Sequence, residues 1–455
     1  VSEKSRIILL ALIVTVTGLA IRQHLFVDRY AIDVFYWDSW DLYHPLFAGG
    51  SWWDCFDFQH GPHRQGLGGL LMRVLAPHSH WNARWDAFSV SFALIACATL
   101  AIWLAIQCGV RGWALVFVPF ICLNIRQCHM FIASANPSHG ALPMLLFIIY
   151  CLVCFIRRHL LRWTILSGLT LLLIFTGFGL FVGVITPVLA VVELIQVIRD
   201  KNPRRSYRIG ILIAALLINA GSWALFAHGY HFDPAAPGFR FPYEHPVEYF
   251  YFIGAMFSNF FGFGYPTMFS VIVGLVAFAA LAAICNIHGW RMIRRGIDES
   301  PRSVVIFSLA AYSLIYSIDA AIGRTFLGWQ TGALSRYVTL MIPMGLAILI
   351  HLSTTPALNK YRLAIVYGCL LAMGTITLHQ ADQDAVDYLH NSCLNWRTAY
   401  RQTHDQTAAD KLARFPIYPG NLTNRLHYLQ VLKLNLFDPN AFPPVTSPGA
   451  TAAAR

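Results

Sequence analysis

What most restricts this chain is the recurrence of apolar runs long enough to cross a bilayer. We count eleven, at approximately 7 to 26, 87 to 107, 112 to 126, 141 to 156, 163 to 180, 181 to 198, 209 to 227, 267 to 287, 304 to 322, 337 to 352 and 362 to 379. A helical span needs roughly 20 apolar residues, fewer where polar ends snorkel. In lipid the backbone must satisfy its own hydrogen bonds, so such a chain folds as a bundle of helices. The expected fold is an all-α polytopic membrane protein with eleven transmembrane helices. Composition agrees: at 57% hydrophobic and 12% charged, with a mean hydropathy of +0.54, the chain cannot coat a soluble surface of its size.

The formal charge of +11 does not point to nucleic acid, because the basic residues fall in short clusters between apolar runs, as orientation signals do. Lys4 and Arg6, Arg111, Arg157 with Arg158 and Arg162, Lys201 with Arg204, Arg205 and Arg208, Arg291 with Arg294, Arg295 and Arg302, and Lys360 with Arg362 all fall on one side, which is expected to be cytoplasmic. This requires that Phe250 to Gly264 stay interfacial or re-entrant rather than cross. The other, outer face then receives 27 to 86, 127 to 140, 228 to 266, 323 to 336 and everything after about 380. The chain divides into a transmembrane domain, 1–380, which includes the outer loop 27–86, and an outer-face tail, 381–455, whose Pro443 to Arg455 end is expected to be mobile. The Ile7 to Ile21 run has no evident cleavage site and reads as a retained first span.

Six cysteines lie inside apolar runs, where a thiol behaves as a small hydrophobe. Cys55, Cys128 and Cys393 are expected outside, where one pair could form a disulfide that sequence cannot assign. No internal repeat, phosphate-binding loop, dinucleotide fingerprint or HExxH motif occurs.

Chemistry concentrates in Tyr36 to Arg73, a long polar interruption with Trp37, Trp40, Trp52 and Trp53 suited to headgroup depth. Two amphipathic surface helices are expected there, Trp37 to Phe47 and Gly66 to Leu75. Asp38 and Asp41, three apart, would share a helix face and raise one another's proton affinity, so that one could act as a base; as plain interfacial charges they would do nothing. His60, His63 and Arg64 follow in HGPHR, where Gly61 and Pro62 make a turn. Arg64 suits a phosphate, or else anchors a lipid headgroup. His129, Asn136 and His139 lie in the next outer loop as potential hydroxyl partners. Arg324, Gln330 and Arg336 lie in a third, where two arginines on the outer side oppose the positive-inside trend and point to an anion site. The Asp and His residues could hold a divalent metal, but no spacing fixes a geometry, and no cofactor is required.

A first span, a long outer loop with early aspartates in WDSWDL, the HGPHR segment and the Gly323-Arg324 to Ser335-Arg336-Tyr337 stretch together resemble the GT-C superfamily of integral-membrane glycosyltransferases, specifically its little-characterised bacterial members. The resemblance spans most of residues 1–380. It implies inverting transfer of a sugar from a polyprenyl-phosphate donor to a glycan, lipid or protein acceptor, in the bilayer of a bacterial inner membrane with the site facing the periplasm. Asp38 or Asp41 would be the base, Arg64, Arg324 and Arg336 would bind the lipid phosphate, and His60, His63, Asn136, His139 and Gln330 would line the substrate. Many relatives carry an Asp-Glu pair in the first loop where this chain has Asp-Ser-Trp-Asp, so the choice of carboxylate stays open. Rival readings are a transporter or flippase for an anionic or lipid-linked substrate and a non-enzymatic assembly subunit. Apart from Glu193, Asn219 and Asp319, the spans are almost free of the ionisable and polar residues that an alternating-access carrier would bury.

Overall fold

The computed structural model describes residues 3–199, 203–232, 239–355 and 360–439. Lys201 and the Pro443 to Arg455 segment lie outside them.

All eleven apolar runs are helical. Seven helices are long and apolar enough to cross a membrane: Glu3–Tyr30, Arg84–Gln107, Gly177–Arg199, Arg205–Ala227, Met268–Arg295, Pro301–Leu327 and Ser335–Thr354. Three shorter apolar helical stretches follow from the runs around 112 to 180: Gly112–Gln127, Ala141–Val153 and His159–Phe175. The last run forms Tyr361–Thr375, which bends by 41° into Gln380–Thr403. The Phe250 to Gly264 stretch forms Val247–Phe260, 14 residues long and buried from Phe252 to Phe260. At 1.5 Å per residue it reaches only about 21 Å, short of the hydrocarbon thickness. Its apolar side chains are spent on neighbouring helices, as befits a segment enclosed by protein.

The two ends of the bundle differ in charge chemistry. At one end Glu193 is buried and accepts from Arg162 Nη2 at 2.9 Å, Arg208 Nη2 at 3.0 Å and Trp163 Nε1 at 3.0 Å, while His159 Nε2 lies 2.8 Å away. Asp298 closes the network by accepting from Arg162 at 2.6 Å and Arg208 at 2.7 Å. Three of the arginine-bearing connections therefore meet on one side. A buried carboxylate is tolerable only with such partners, and Glu193 is locked in place. Asn219 is likewise spent, donating to the Gly183 carbonyl at 3.2 Å.

The opposite end carries the first loop and the tail, which share a hydrophobic core separate from that of the bundle. Phe35, Trp40, Tyr43, Trp81, Trp396 and Leu429 are at its centre. The loop contributes Asp38–Leu42, His44–Phe47, Trp52–Asp57, a two-stranded hairpin and Gly66–His78. The tail contributes Gln380–Thr403, Gln406–Ala413 and Thr423–Val431. Two expectations need correction here. The Trp37 to Phe47 helix is broken at Tyr43, because Pro45 starts a new helix and the buried rings of Phe35, Trp40 and Tyr43 pack inward. All ten cysteines are free, and Cys55, Cys128 and Cys393 are each buried in separate surroundings, so no disulfide joins them.

Candidate active site

The site grows from a turn. Gln59–His60 pairs antiparallel with His63–Arg64, with His60 opposite His63. Gly61, at φ 59°, supplies the positive dihedral that the two-residue connection needs. This aims His63 inward and leaves His60 at the rim. A second turn, Pro137–His139, brings His139 alongside: its ring centroid lies 4.9 Å from that of His63 and 6.1 Å from that of His60. Phe178 closes the floor, 4.8 Å from the His63 ring.

Ser138 holds this second turn by donating its hydroxyl to the Gln65 carbonyl at 2.6 Å. The turn wedges between the Gly66–His78 helix and the backbone at 177. A Cβ on Gly68 would fall 1.8 Å from Ser138 Oγ, and one on Gly177 1.7 Å from the Ser138 carbonyl oxygen. A side chain at either position would force Ser138, and with it the turn that carries His139, to shift. Asn136 is consumed by the same construction: its amide donates to Gln65 Oε1 at 2.8 Å and its carbonyl caps the Ser138 N–H. It positions the site rather than facing it.

Asp38 stands at the mouth, its Oδ2 3.8 Å from His60 Nε2 and its side chain 41% exposed. Partial burial acts to raise its proton affinity, but His60, His139 and Arg336 outweigh burial and hold the carboxyl below its usual range. The two neighbouring imidazoles go the other way. Burial, with help from His60 and Arg324, pushes His63 down to about 3. Burial and the other two histidines place His139 well below its ordinary value. Both His63 ring nitrogens and His139 Nε2 are buried with no hydrogen-bond partner among the described residues. Buried atoms left unpaired in this way are available to a polar guest.

Asp41 does not join Asp38. It accepts from the Tyr418 hydroxyl at 2.7 Å and from Arg425 Nη1 at 3.2 Å, both in the tail. The helix that holds both carboxylates is only five residues long, and it is entered through Trp37 at φ 47°, whose N–H donates to the Ile417 carbonyl at 2.9 Å. The tail thus draws Asp41 away, and the mutual rise in proton affinity expected of the pair does not arise.

Among the arginines, Arg64 is taken out of the site. It is 3% exposed, paired with Asp57 Oδ1 at 2.9 Å, and donates to the carbonyls of Phe226 at 2.8 Å and His228 at 2.6 Å between the Phe175 and Phe226 rings. Its donors are committed to joining the first loop to the helix Arg205–Ala227, which corrects its expected role as a phosphate ligand. Arg324 and Arg336 are exposed, and neither is within ion-pairing distance of a carboxylate among the described residues. Their fields reach the cluster nonetheless: Arg336 acts on Asp38 and His139, and Arg324 on His63. Short 3-10 turns at Thr325–Leu327, Trp329–Ala333 and Ser335–Tyr337 fold the loop that carries them. Gln330 is exposed on that loop. His129 is set aside from the three clustered histidines, beside Ser335, whose hydroxyl accepts from the His129 N–H at 3.1 Å. Among the described residues no three His, Cys, Asp or Glu side chains are grouped so as to hold a metal ion.

The arrangement is one accessible carboxylate kept ionised, three imidazoles of which two are held neutral, and two guanidiniums with no carboxylate at ion-pairing distance among the described residues. It can accept a proton from a hydroxyl and hold an anion at one place. The tail groups that fix Asp41 were not legible in the sequence, since Tyr418 lies 377 positions away and no local pattern links the two. Phe178 was read only as part of a span.

No family model matches the chain, and no curated protein matches it. Among solved structures it is similar to ArnT from Cupriavidus metallidurans bound to undecaprenyl phosphate, with 12% identity over 92% of this chain and 87% of that one, at a TM-score of 0.43. At that score the likeness is too loose to carry an inference, and the functional reading rests on the residues of the site.

Proposed function

We propose that the chain is a membrane glycosyltransferase of the GT-C type that uses a polyprenyl-phosphate sugar. The observation that carries this reading is one cluster in which Asp38 lies 3.8 Å from His60 and within the field of Arg336 while Arg324 bears on the neighbouring His63, from segments nearly 300 positions apart, at the end of the bundle opposite the arginine-rich network. By the positive-inside trend that end faces the periplasm of a bacterial inner membrane.

In this reading the acceptor hydroxyl of a glycan, lipid or protein hydrogen-bonds to Asp38. Its proton passes to the carboxylate as the oxygen attacks the anomeric carbon from the face opposite the phosphate. The bond from that carbon to the phosphate oxygen breaks, its electron pair leaves with the lipid phosphate, and the sugar inverts. Arg324 and Arg336 stabilise the charge that grows on the leaving oxygen, an interaction stronger in the transition state than before it. Neutral His63 and His139 can hydrogen-bond sugar hydroxyls without competing for the phosphate, and His60 holds Asp38 in its charged form. Asp41, tied to the tail, has no part in proton transfer. These steps draw on no free nucleotide.

The test is turnover by purified protein given a polyprenyl-phosphate sugar with lipid-linked or peptide acceptors. Asp38→Asn should lower turnover by about 10²- to 10⁴-fold, the usual worth of a general base. Undiminished turnover in that variant removes the proposed base. A carrier or an assembly subunit would give no transfer in the unmodified protein.

A further inference from the structure

A second cavity lies away from the Asp38 site, along the first helix. Arg22, Leu25, Phe26 and Arg29 recur at the three- and four-residue spacing that puts them on one face of Glu3–Tyr30. This face looks across a space of about 440 Å³ at Ile125 and Leu378. The space exists because the chain turns by 41° between Tyr361–Thr375 and Gln380–Thr403, leaving Thr377 to Gln380 as its far wall. Its outer edge is fixed by Gln383, which donates to the Tyr30 hydroxyl at 2.9 Å.

The charge of this groove is unbalanced. Arg22 anchors it, donating to the carbonyls of Leu123 at 2.7 Å, Thr375 at 3.1 Å and Ile376 at 3.2 Å, and its Nε–H is buried with no partner. Arg29 is exposed and lies over the Tyr30 ring at 5.1 Å, with no ion pair among the described residues. Of the carboxylates on the same helices, Asp28 pairs with Arg84 at 2.7 Å and Asp382 with Arg126 at 3.5 Å; Asp384 and Asp387 do not line the groove and accept from Gln380 at 2.7 Å and Gln383 at 3.0 Å at its far edge. Between the two cations the floor is hydrocarbon, and Leu25, 60% exposed, continues it onto the outward side of a helix that the bundle scarcely covers.

We infer that this groove binds the phosphate-ester headgroup of a long-chain lipid, with Arg29 and the free Nε–H of Arg22 on the phosphate and the chain running over Leu25 and Phe26. A guanidinium suits a phosphate oxygen, and an apolar strip that opens to the bilayer suits the chain attached to it. The site is independent of Asp38 and of the proposed reaction. Its ligand is either a bilayer glycerophospholipid or an isoprenoid phosphate, which share this chemistry.

Native mass spectrometry of the detergent-solubilised full chain tests it, with dioleoylphosphatidylglycerol, decaprenyl monophosphate and dioleoylphosphatidylcholine as separate probes. At least one anionic probe should be retained about tenfold more than phosphatidylcholine. Retention of phosphatidylglycerol identifies a bilayer lipid, and retention of the decaprenyl compound alone identifies an isoprenoid; either supports the site. Arg29→Gln should abolish that preference, and Leu25→Trp, at an exposed position that leaves the arginines intact, should block the chain and reduce retention similarly. A double variant, Arg324→Gln with Arg336→Gln, removes both cations of the proposed reaction's phosphate site and should still show the preference for the anionic lipid, which separates this groove from the catalytic reading. Equal retention of all three lipids, or undiminished retention in a folded Leu25→Trp protein, overturns the inference.

Discussion

Replacing His63 by phenylalanine tests whether the histidine cluster is as dry as its packing indicates. His63 is 4% exposed, packed between the His139 ring and Phe178, and both of its nitrogens lack partners. Burial sets its folded value near 3, against 6.5 for the free side chain. Between those values the unfolded chain holds a proton that the folded chain refuses, so stability rises with pH across the interval and is lost as pH falls below about 6.5. The loss is RT ln(1 + 10^(6.5 − pH)) while pH stays well above 3. It amounts to less than about 0.1 kcal/mol at pH 7.5 and about 2 kcal/mol at pH 5.0. With about 2.1 cal/mol/K of unfolding entropy per residue over 455 residues, this corresponds to a shift of about 2 °C. Phenylalanine keeps the aromatic contacts, removes two unsatisfied nitrogens and cannot titrate. Thermal unfolding in detergent should therefore show His63→Phe at least as stable as the unmodified protein at pH 7.5, with the variant's advantage growing by about 2 kcal/mol at pH 5.0. His139 is present in both proteins, so its own titration largely cancels. A difference that does not change with pH would mean that His63 is hydrated and takes up its proton normally, and the account of two neutral imidazoles beside Asp38 would fail.

Three further outcomes separate the roles of residues that looked alike in the sequence. Arg336→Gln should raise KM for the polyprenyl donor about tenfold, about 1.4 kcal/mol, without changing melting temperature; an unaltered KM would take Arg336 out of the phosphate site. Arg64→Met should instead destabilise the fold by about 3 kcal/mol, read in thermal unfolding, because it strands buried carbonyls at Phe226 and His228; a fully stable variant with weakened donor binding would restore the phosphate role that the structure withdraws. Asp41→Asn should cost about 1 kcal/mol of stability and leave turnover within a few-fold, whereas loss of turnover matching Asp38→Asn would show that both carboxylates serve the reaction.

The helical runs were readable because bilayer burial demands a single signal, apolar length, and that signal is local. Even the two marginal runs at 112 to 126 and 141 to 156 became helices, Gly112–Gln127 and Ala141–Val153, shorter than a full span because much of their surface meets protein. The HGPHR turn was equally local, since glycine and proline dictate it. Residue types were a poorer guide to the site. Arg64 and Arg336 are both arginines in outer loops, yet one is buried against Phe175, Phe226 and Asp57 and the other is exposed. What distinguishes them is the company supplied by distant segments, which no window of sequence contains. The same applies to Asp38 and Asp41, whose spacing indicated a shared face.

The tail is the part whose importance the sequence most understated. Expected only as an outer-face tail, it contributes Trp396, Leu426 and Leu429 to a core built with Phe35, Trp40 and Trp81 of the first loop. Burying each large side chain of this kind is worth about 2 kcal/mol, enough for the two segments to order one another. The consequence reaches the chemistry through the backbone. Trp37 is held at a positive φ of 47° while its N–H donates to Ile417, and the next residue is Asp38. Tyr418, one position beyond Ile417, holds Asp41. Two adjacent residues of the tail thus set the directions of both carboxylates. Two aspartates that the Asp-Ser-Trp-Asp spacing leaves alike are thus told apart by the tail, which ties Asp41 to Tyr418 and Arg425 and leaves Asp38 beside His60.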